Sequence, residues 1–172
     1  MAASGEYLGM PLHIDDVDGE NLAYFRHCAE GVFRLQRGAR SGLLRYPPTT
    51  ACPWTRDREY TWEPVEGRGA VYSYSEVHHA IQPAFRAHTP YLILLVELDT
   101  QSGKPSPTEG LRVIGNLTTP DGVLASKEAV AKVGIGTRVR MTFSDVAPGL
   151  SIPQWTIDES AGKKEPWRYK PE

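Results

Sequence analysis

Residues 91–99, YLILLVELD, form a continuous apolar run that ends among the acids Glu97 and Asp99. A run of this length fits a strand, and apolar side chains on consecutive positions predict a strand buried on both faces. Such a strand needs partners, and the flanking sequence supplies them. GRGAVYSYSEVHHA, from Gly67, alternates through Val71, Tyr72, Ser73, Tyr74, Ser75, Glu76 and Val77. LRVIGNL follows, and TRVRMTFSDV places Val139, Met141 and Phe143 on one face. Between these two, SKEAVAKVGIG predicts a short helix or turn.

Four or five strands with a helical connector before the last pair is the pattern of a five-stranded Greek-key barrel, the OB-fold; a small sandwich is the competing architecture. The expected fold is therefore mainly β. Upstream, DDVDGENLAYFRHCAEG predicts a helix, with Leu22, Phe25 and Cys28 or Ala29 on its apolar side and Gly31 able to end it. VFRLQR then reads as a strand, GARSG as a turn and LLRY as a second short strand stopped by Pro47-Pro48. The resulting organisation is a helical segment over 1–30, a small module over 31–62, a barrel over 63–158 and a polar, proline-bearing tail over 159–172. The module has too little apolar mass to be stable alone.

A net charge of −2 gives no general case for nucleic acid or membrane surfaces. The charge is uneven. Residues 31–60 carry Arg34, Arg37, Arg40, Arg45, Arg56 and Arg58 against Asp57 and Glu59, so the small module is locally basic. No stretch has the roughly 18 apolar residues a membrane span needs, and no secretory signal is visible, so a cytoplasmic protein with reduced Cys28 and Cys52 is expected.

Several stretches together resemble one family. GRGAVYSYSEVHHAIQPAF and PYLILLVELD, then RVIGNL, VGIGTRVRMTF and IPQWTI, are similar in order and spacing to the DUF35 proteins, over about Asp15 to Asp158. The resemblance implies an N-terminal helix and a rubredoxin-like zinc ribbon followed by an OB-fold. The ribbon's usual C-x2-C-G pair and C-P-x-C pair would fall on Gly38, Ser41, Cys52 and Thr55. A glycine cannot ligate, and neutral hydroxyls are poor substitutes for thiolates, so the expected metal is none and the ribbon is read as degenerate. Folding without zinc is expected, with Cys52→Ser nearly neutral.

The family further implies a non-catalytic subunit of a thiolase-like or lipid-transfer-protein-like acyl-CoA enzyme: a thiolase, an acyltransferase or a steroid side-chain retro-aldolase. The partner would supply the catalytic groups, no cofactor would be held, and the CoA ester would be the ligand of the complex. The residues expected to contact acyl-CoA or partner are Arg37, Arg40, Arg45, Trp54, His78, His79 and Arg86. The alternative is a stand-alone acyl-CoA-binding protein or thioesterase, for which Glu76, His78 or Glu97 would have to serve as acid or base. Adjacent histidines on a strand face opposite sides, which weakens a metal reading of His78-His79. No G-x-S-x-G, H-E-x-x-H or P-loop motif occurs, and VGIGTRV reads as a turn.

Overall fold

The computed structural model describes residues 2–15, 19–162 and 165–170. The chain opens with a hairpin, β1 (Ala3–Tyr7) and β2 (Met10–Ile14), where only a helical segment was expected. Leu8 and Gly9 both take positive φ in its two-residue turn, a geometry that suits tight hairpins. Its alternation is weak because the hairpin is mostly exposed. Tyr7 is the residue that anchors it, packing with Leu22, Val146 and Leu150.

Helix α1 (Glu20–Ala29) follows. Asp16 and Asp18, two of the acids expected before it, lie outside the described residues. Leu22, Tyr24 and Cys28 are buried, and Phe25 is half-buried between two apolar clusters. Tyr24 stacks edge-on against both Phe25 and Phe33, which ties the helix to the chain entering the next sheet.

Three strands form the small module: β3 (Arg34–Gly38), β4 (Leu44–Arg45) and β5 (Tyr60–Pro64), in the order β4-β3-β5. The sequence predicts only two strands in this module, so the third is an addition. Its residues YTWEP alternate an aromatic side with a polar one, and Trp62 packs against His27 of α1. Gln101 clamps the module to the rest of the molecule: its side chain accepts from Leu44 N at 2.7 Å and donates to Leu44 O at 3.0 Å.

The five-stranded sheet contains β6 (Arg68–Val77), β7 (Tyr91–Leu98), β8 (Arg112–Asn116), β9 (Arg138–Ala147) and β10 (Leu150–Ile157), in the order β10-β9-β6-β7-β8. Leu117, just beyond the end of β8, makes a parallel bridge to Trp155 of β10, with Thr118 N donating to Trp155 O at 2.7 Å. The sheet thus curls into a partly open OB-fold barrel. The connector α2 (Lys127–Val130) lies between β8 and β9, and Ser126 caps it by accepting from Ala129 N at 3.3 Å.

The apolar run that defines β7 is buried on one face only. Leu92, Leu94, Val96 and Leu98 point into the barrel and are buried, with Val71, Val113, Leu117, Val139 and Trp155 around them. Fully burying each such leucine contributes about 1.5–3 kcal/mol. Tyr91, Ile93 and Leu95 face outward and are only half-buried, contrary to the two-face expectation. The tail is docked where described: Trp167 bridges to Ile135, and Arg168 binds Glu76 and the carbonyls of Val130 and Val133.

Candidate functional site

Two tight turns face each other in the small module, and their backbones match. In the first, Gly42 N donates to Gly38 O at 2.9 Å and Gly38 N to Leu43 O at 3.0 Å. In the second, Arg56 N donates to Cys52 O at 2.8 Å and Cys52 N to Asp57 O at 2.7 Å. The fourth residue after each start, Gly42 or Arg56, is left-handed, with φ of 65° and 58°. The two turns therefore share one backbone pattern, the arrangement expected of paired knuckles.

The donor set between them does not fit Zn²⁺. It comprises no side chain at Gly38, one thiol, and hydroxyls from Ser41 and Thr55, where a closed structural site uses four thiolate or imidazole donors. Among the described residues, no cluster of three or more His, Cys, Asp or Glu could hold a metal ion. A Cβ built on Gly38 would lie 2.6 Å from Ser41 Oγ, 3.5 Å from Cys52 Sγ and 3.8 Å from Arg45 Nη1. Arg45 Nη1 and the sulfur thus both border the position a side chain at 38 would take, with no hydrogen bond between them.

Burial raises the Cys52 thiol, but hydrogen bonds from the Ser41 and Thr55 hydroxyls and from the Thr55 and Trp54 amides outweigh it and bring the thiol down to about 6. Ser41 Oγ, 3.5 Å from the sulfur, is the firmer hydroxyl contact, because Thr55 Oγ1 is buried without a partner of ordinary geometry. Cys28, in the apolar core, is pushed up to about 12 by burial and is inert packing.

Arg45, expected at the surface, is only 2 % exposed, so it is a structural residue of the chain and no outward contact. Its sequence neighbours gave no warning: a basic residue beside Tyr46 and two prolines reads as solvated. Arg37 is half-buried and bound to Glu63 Oε1 at 2.7 Å and Gly42 O at 2.6 Å. Arg40 is exposed on the first turn, its amide held by Asp57. Trp54 is exposed on the second turn and lines a cleft of about 240 Å³ with Tyr46, Lys104 and Arg112. His78, His79 and Arg86 lie together in sequence at the end of β6 and in the 3₁₀ turn Pro83–His88, all exposed, outside the small module. The candidates therefore fall into two groups.

Among the described residues, no acid, base and nucleophile converge. Glu76 is taken by Arg168 at 2.5 Å, with His78 Nε2 3.4 Å away on its other oxygen, and Glu97 is taken by Arg112 at 2.9 Å.

What sequence reasoning missed is the outward side of the barrel. Register places Ser73, Leu95 and Ile114 in one cross-strand row and Ser75, Ile93 and Asn116 in the next. Ile114 is 52 % exposed, and the small serines leave a shallow apolar depression beside it. Arg112 closes one end, its guanidinium 3.8 Å from the centre of the exposed Tyr72 ring. The signal was present as the outward residues Ile93 and Leu95 in the apolar run of β7.

Comparisons with known proteins agree with this architecture. The family profile described as "ChsH2, C-terminal OB-fold domain" matches residues 62–144. A "probable enoyl-CoA hydratase alpha subunit" of Thermomonospora curvata is 33 % identical over 80 % of this chain and 37 % of its own. A "3-oxo-4,17-pregnadiene-20-carboxyl-CoA hydratase alpha subunit" of Mycobacterium tuberculosis is 36 % identical over 73 % of this chain and 34 % of its own. A "DUF35 domain-containing scaffold protein" of Methanocaldococcus jannaschii is 32 % identical over 54 % of this chain and 56 % of its own. The chain therefore spans only about a third to a half of the length of these relatives. Among solved structures, a chain of an "Ltp2-ChsH2(DUF35) aldolase" superposes with a TM-score of 0.62 at 29 % identity, covering 83 % of this chain and 98 % of that one.

Proposed function

The chain belongs to the DUF35 family, and from that premise we propose that it is a non-catalytic accessory subunit of an acyl-CoA enzyme complex in lipid or steroid metabolism. A thiolase-like or lipid-transfer-protein-like partner supplies the nucleophile and base. The observation that carries the reading is the outward row of Leu95 and Ile114 with Ile93 beside it, on a barrel whose core is already filled. Exposed apolar surface rimmed by polar groups marks an interaction site, and an Arg-Tyr pair at its edge has the composition of an interface.

The chemistry of the chain agrees with a non-catalytic role. Glu76 and Glu97 are each neutralised by arginine, so neither is poised as a free base. Two similar proteins are named as CoA-ester hydratase subunits and a third as an aldolase, and the first two names support a complex acting on CoA esters. Arg37, Arg40, Trp54, His78, His79 and Arg86 remain available as outward contacts to the partner or to the CoA ester.

The test is co-expression of this chain with a thiolase-like protein from the same genome, followed by light scattering and turnover assays on several acyl-CoA esters. One stable hetero-oligomer is expected, active only when the partner is present. Separate elution at micromolar concentration, or turnover by this chain alone that His78→Ala or Glu76→Ala abolishes, overturns the proposal.

A further inference from the structure

We propose that Arg45 takes the place of a metal ion in this ribbon: its buried guanidinium supplies the positive charge between the two knuckles, and the Cys52 sulfur, as thiolate, is its counter-charge. The reasoning begins with Arg45 itself. A guanidinium keeps its proton under all ordinary conditions, so a buried arginine is a buried charge. Its hydrogen bonds run from Nε to Gln36 Oε1 at 2.9 Å and from Nη2 to the Thr49 carbonyl at 2.9 Å, and both acceptors are neutral. The Tyr60 ring, with its centroid 5.0 Å from the guanidinium carbon, offers only a weak partial charge. A charge so placed is costly unless an anion answers it.

The remaining nitrogen, Nη1, is buried, has no hydrogen-bond partner, and points to the space beside Gly38. The three atoms nearest that position are Ser41 Oγ, Cys52 Sγ and Nη1 itself. Of these, only the sulfur can become an anion near neutral pH. Two further buried atoms of the module, Gln36 Nε2 and Thr55 Oγ1, also lack partners. The glycine leaves the space beside it open, since any Cβ at position 38 would strike Ser41 Oγ at 2.6 Å. The matching backbone of the two turns survives because its hydrogen bonds do not depend on what lies between them.

Packing and charge roles for Arg45 separate in a double-mutant cycle on the full-length chain. The readout is amide hydrogen-exchange protection at Gly38, Gly42, Cys52 and Arg56, with the barrel amides of β7 as the internal reference. Cys52→Ser is expected to lower knuckle protection about tenfold in the wild-type background, in place of the neutral effect expected from sequence. In the Arg45→Met background its effect should shrink by about fivefold or more, since the serine then leaves no uncompensated charge. If Arg45→Met does not fold, Arg45→Lys serves as the second background, and the effect of Cys52→Ser should there match that in the wild type because the charge is kept. Equal effects of Cys52→Ser in the wild-type and Arg45→Met backgrounds, or loss of the Cys52→Ser effect in the Arg45→Lys background, overturn the proposal.

Discussion

Arg45 Nε and the Thr49 amide both donate to one oxygen, Gln36 Oε1, at 2.9 and 2.8 Å, and the two side chains are buried together beneath the knuckles. Gln36 is therefore the acceptor that joins β3, β4 and the proline-bearing loop. Gln36→Leu keeps the volume but strips the acceptor from a buried charged donor and a backbone amide. A loss of about 3 kcal/mol in urea unfolding is expected. Arg37→Ala, one residue on, removes an exposed pair with Glu63 and should stay within about 0.5 kcal/mol of wild type.

The N-terminal hairpin is tied to the barrel by Tyr7, whose hydroxyl accepts from the buried Gln154 Nε2 at 3.1 Å. Tyr7→Phe removes the acceptor and preserves the ring contact with Phe85. The expected cost is about 1 kcal/mol. Limited proteolysis should show faster cleavage within residues 8–15, and unchanged cleavage there would contradict the anchoring role.

Gly42 adopts φ of 65° with open space where a side chain would go. Gly42→Ala consequently meets backbone strain and no clash, and should cost about 1 kcal/mol. Arg56 holds the equivalent position of the second turn at φ 58°, so Arg56→Gly relieves strain but frees the unfolded chain; its net effect should be smaller than that of Gly42→Ala. Thermal midpoints of the two variants give the comparison directly.

The barrel was legible because strand alternation at Val71 to Val77 and Val139 to Phe143 is set by which face meets the core, and that is written residue by residue. The hairpin at Ala3 to Ile14 was not, because only Tyr7 of its strands is fully buried, leaving little apolar period to read. β5 was hidden because Tyr60 and Trp62 are only half-buried and their partners come from β3. The four knuckle positions could be aligned by resemblance, but the burial of Arg45 depends on Gln36 and Thr49 closing over it, a tertiary fact with no local pattern. The outward apolar face failed for a different reason: Ile93 and Leu95 look like core in any one-dimensional reading.

The Cys52 thiol, brought down to about 6 against burial by the hydroxyls of Ser41 and Thr55 and the nearby amides, links stability to pH. Its folded value lies below the unfolded value near 8.5. The thiolate's contribution is therefore fully present above the unfolded value and is lost as pH falls through about 6. Following thiolate absorbance in the native chain should show one titration near 6, with Cys28 silent because its thiol is pushed up to about 12. Unfolding stability should fall from pH 9 to 6 in the wild type and show a flatter slope there in Cys52→Ser. A native titration near the ordinary thiol value would remove the thiolate from this account.

Ile114 separates folding from partnership. At 52 % exposure on the outer barrel face, it can be replaced by aspartate with little loss of stability, within about 1 kcal/mol. In an interface the same change buries an unpaired carboxylate against apolar surface, and a centrally placed residue of this kind weakens binding about thirtyfold or more. Ile114→Asp should therefore melt like the wild type yet fail to co-purify with the thiolase-like protein proposed as its partner. Arg112→Ala, which removes the cation from the Tyr72 ring and leaves Glu97 unpaired on the same rim, should weaken the complex less, by about tenfold. If Ile114→Asp binds as tightly as the wild type, the outward row of β7 and β8 is not the docking face. The partner's contact must then be sought among the exposed residues of the knuckles and the turn after β6.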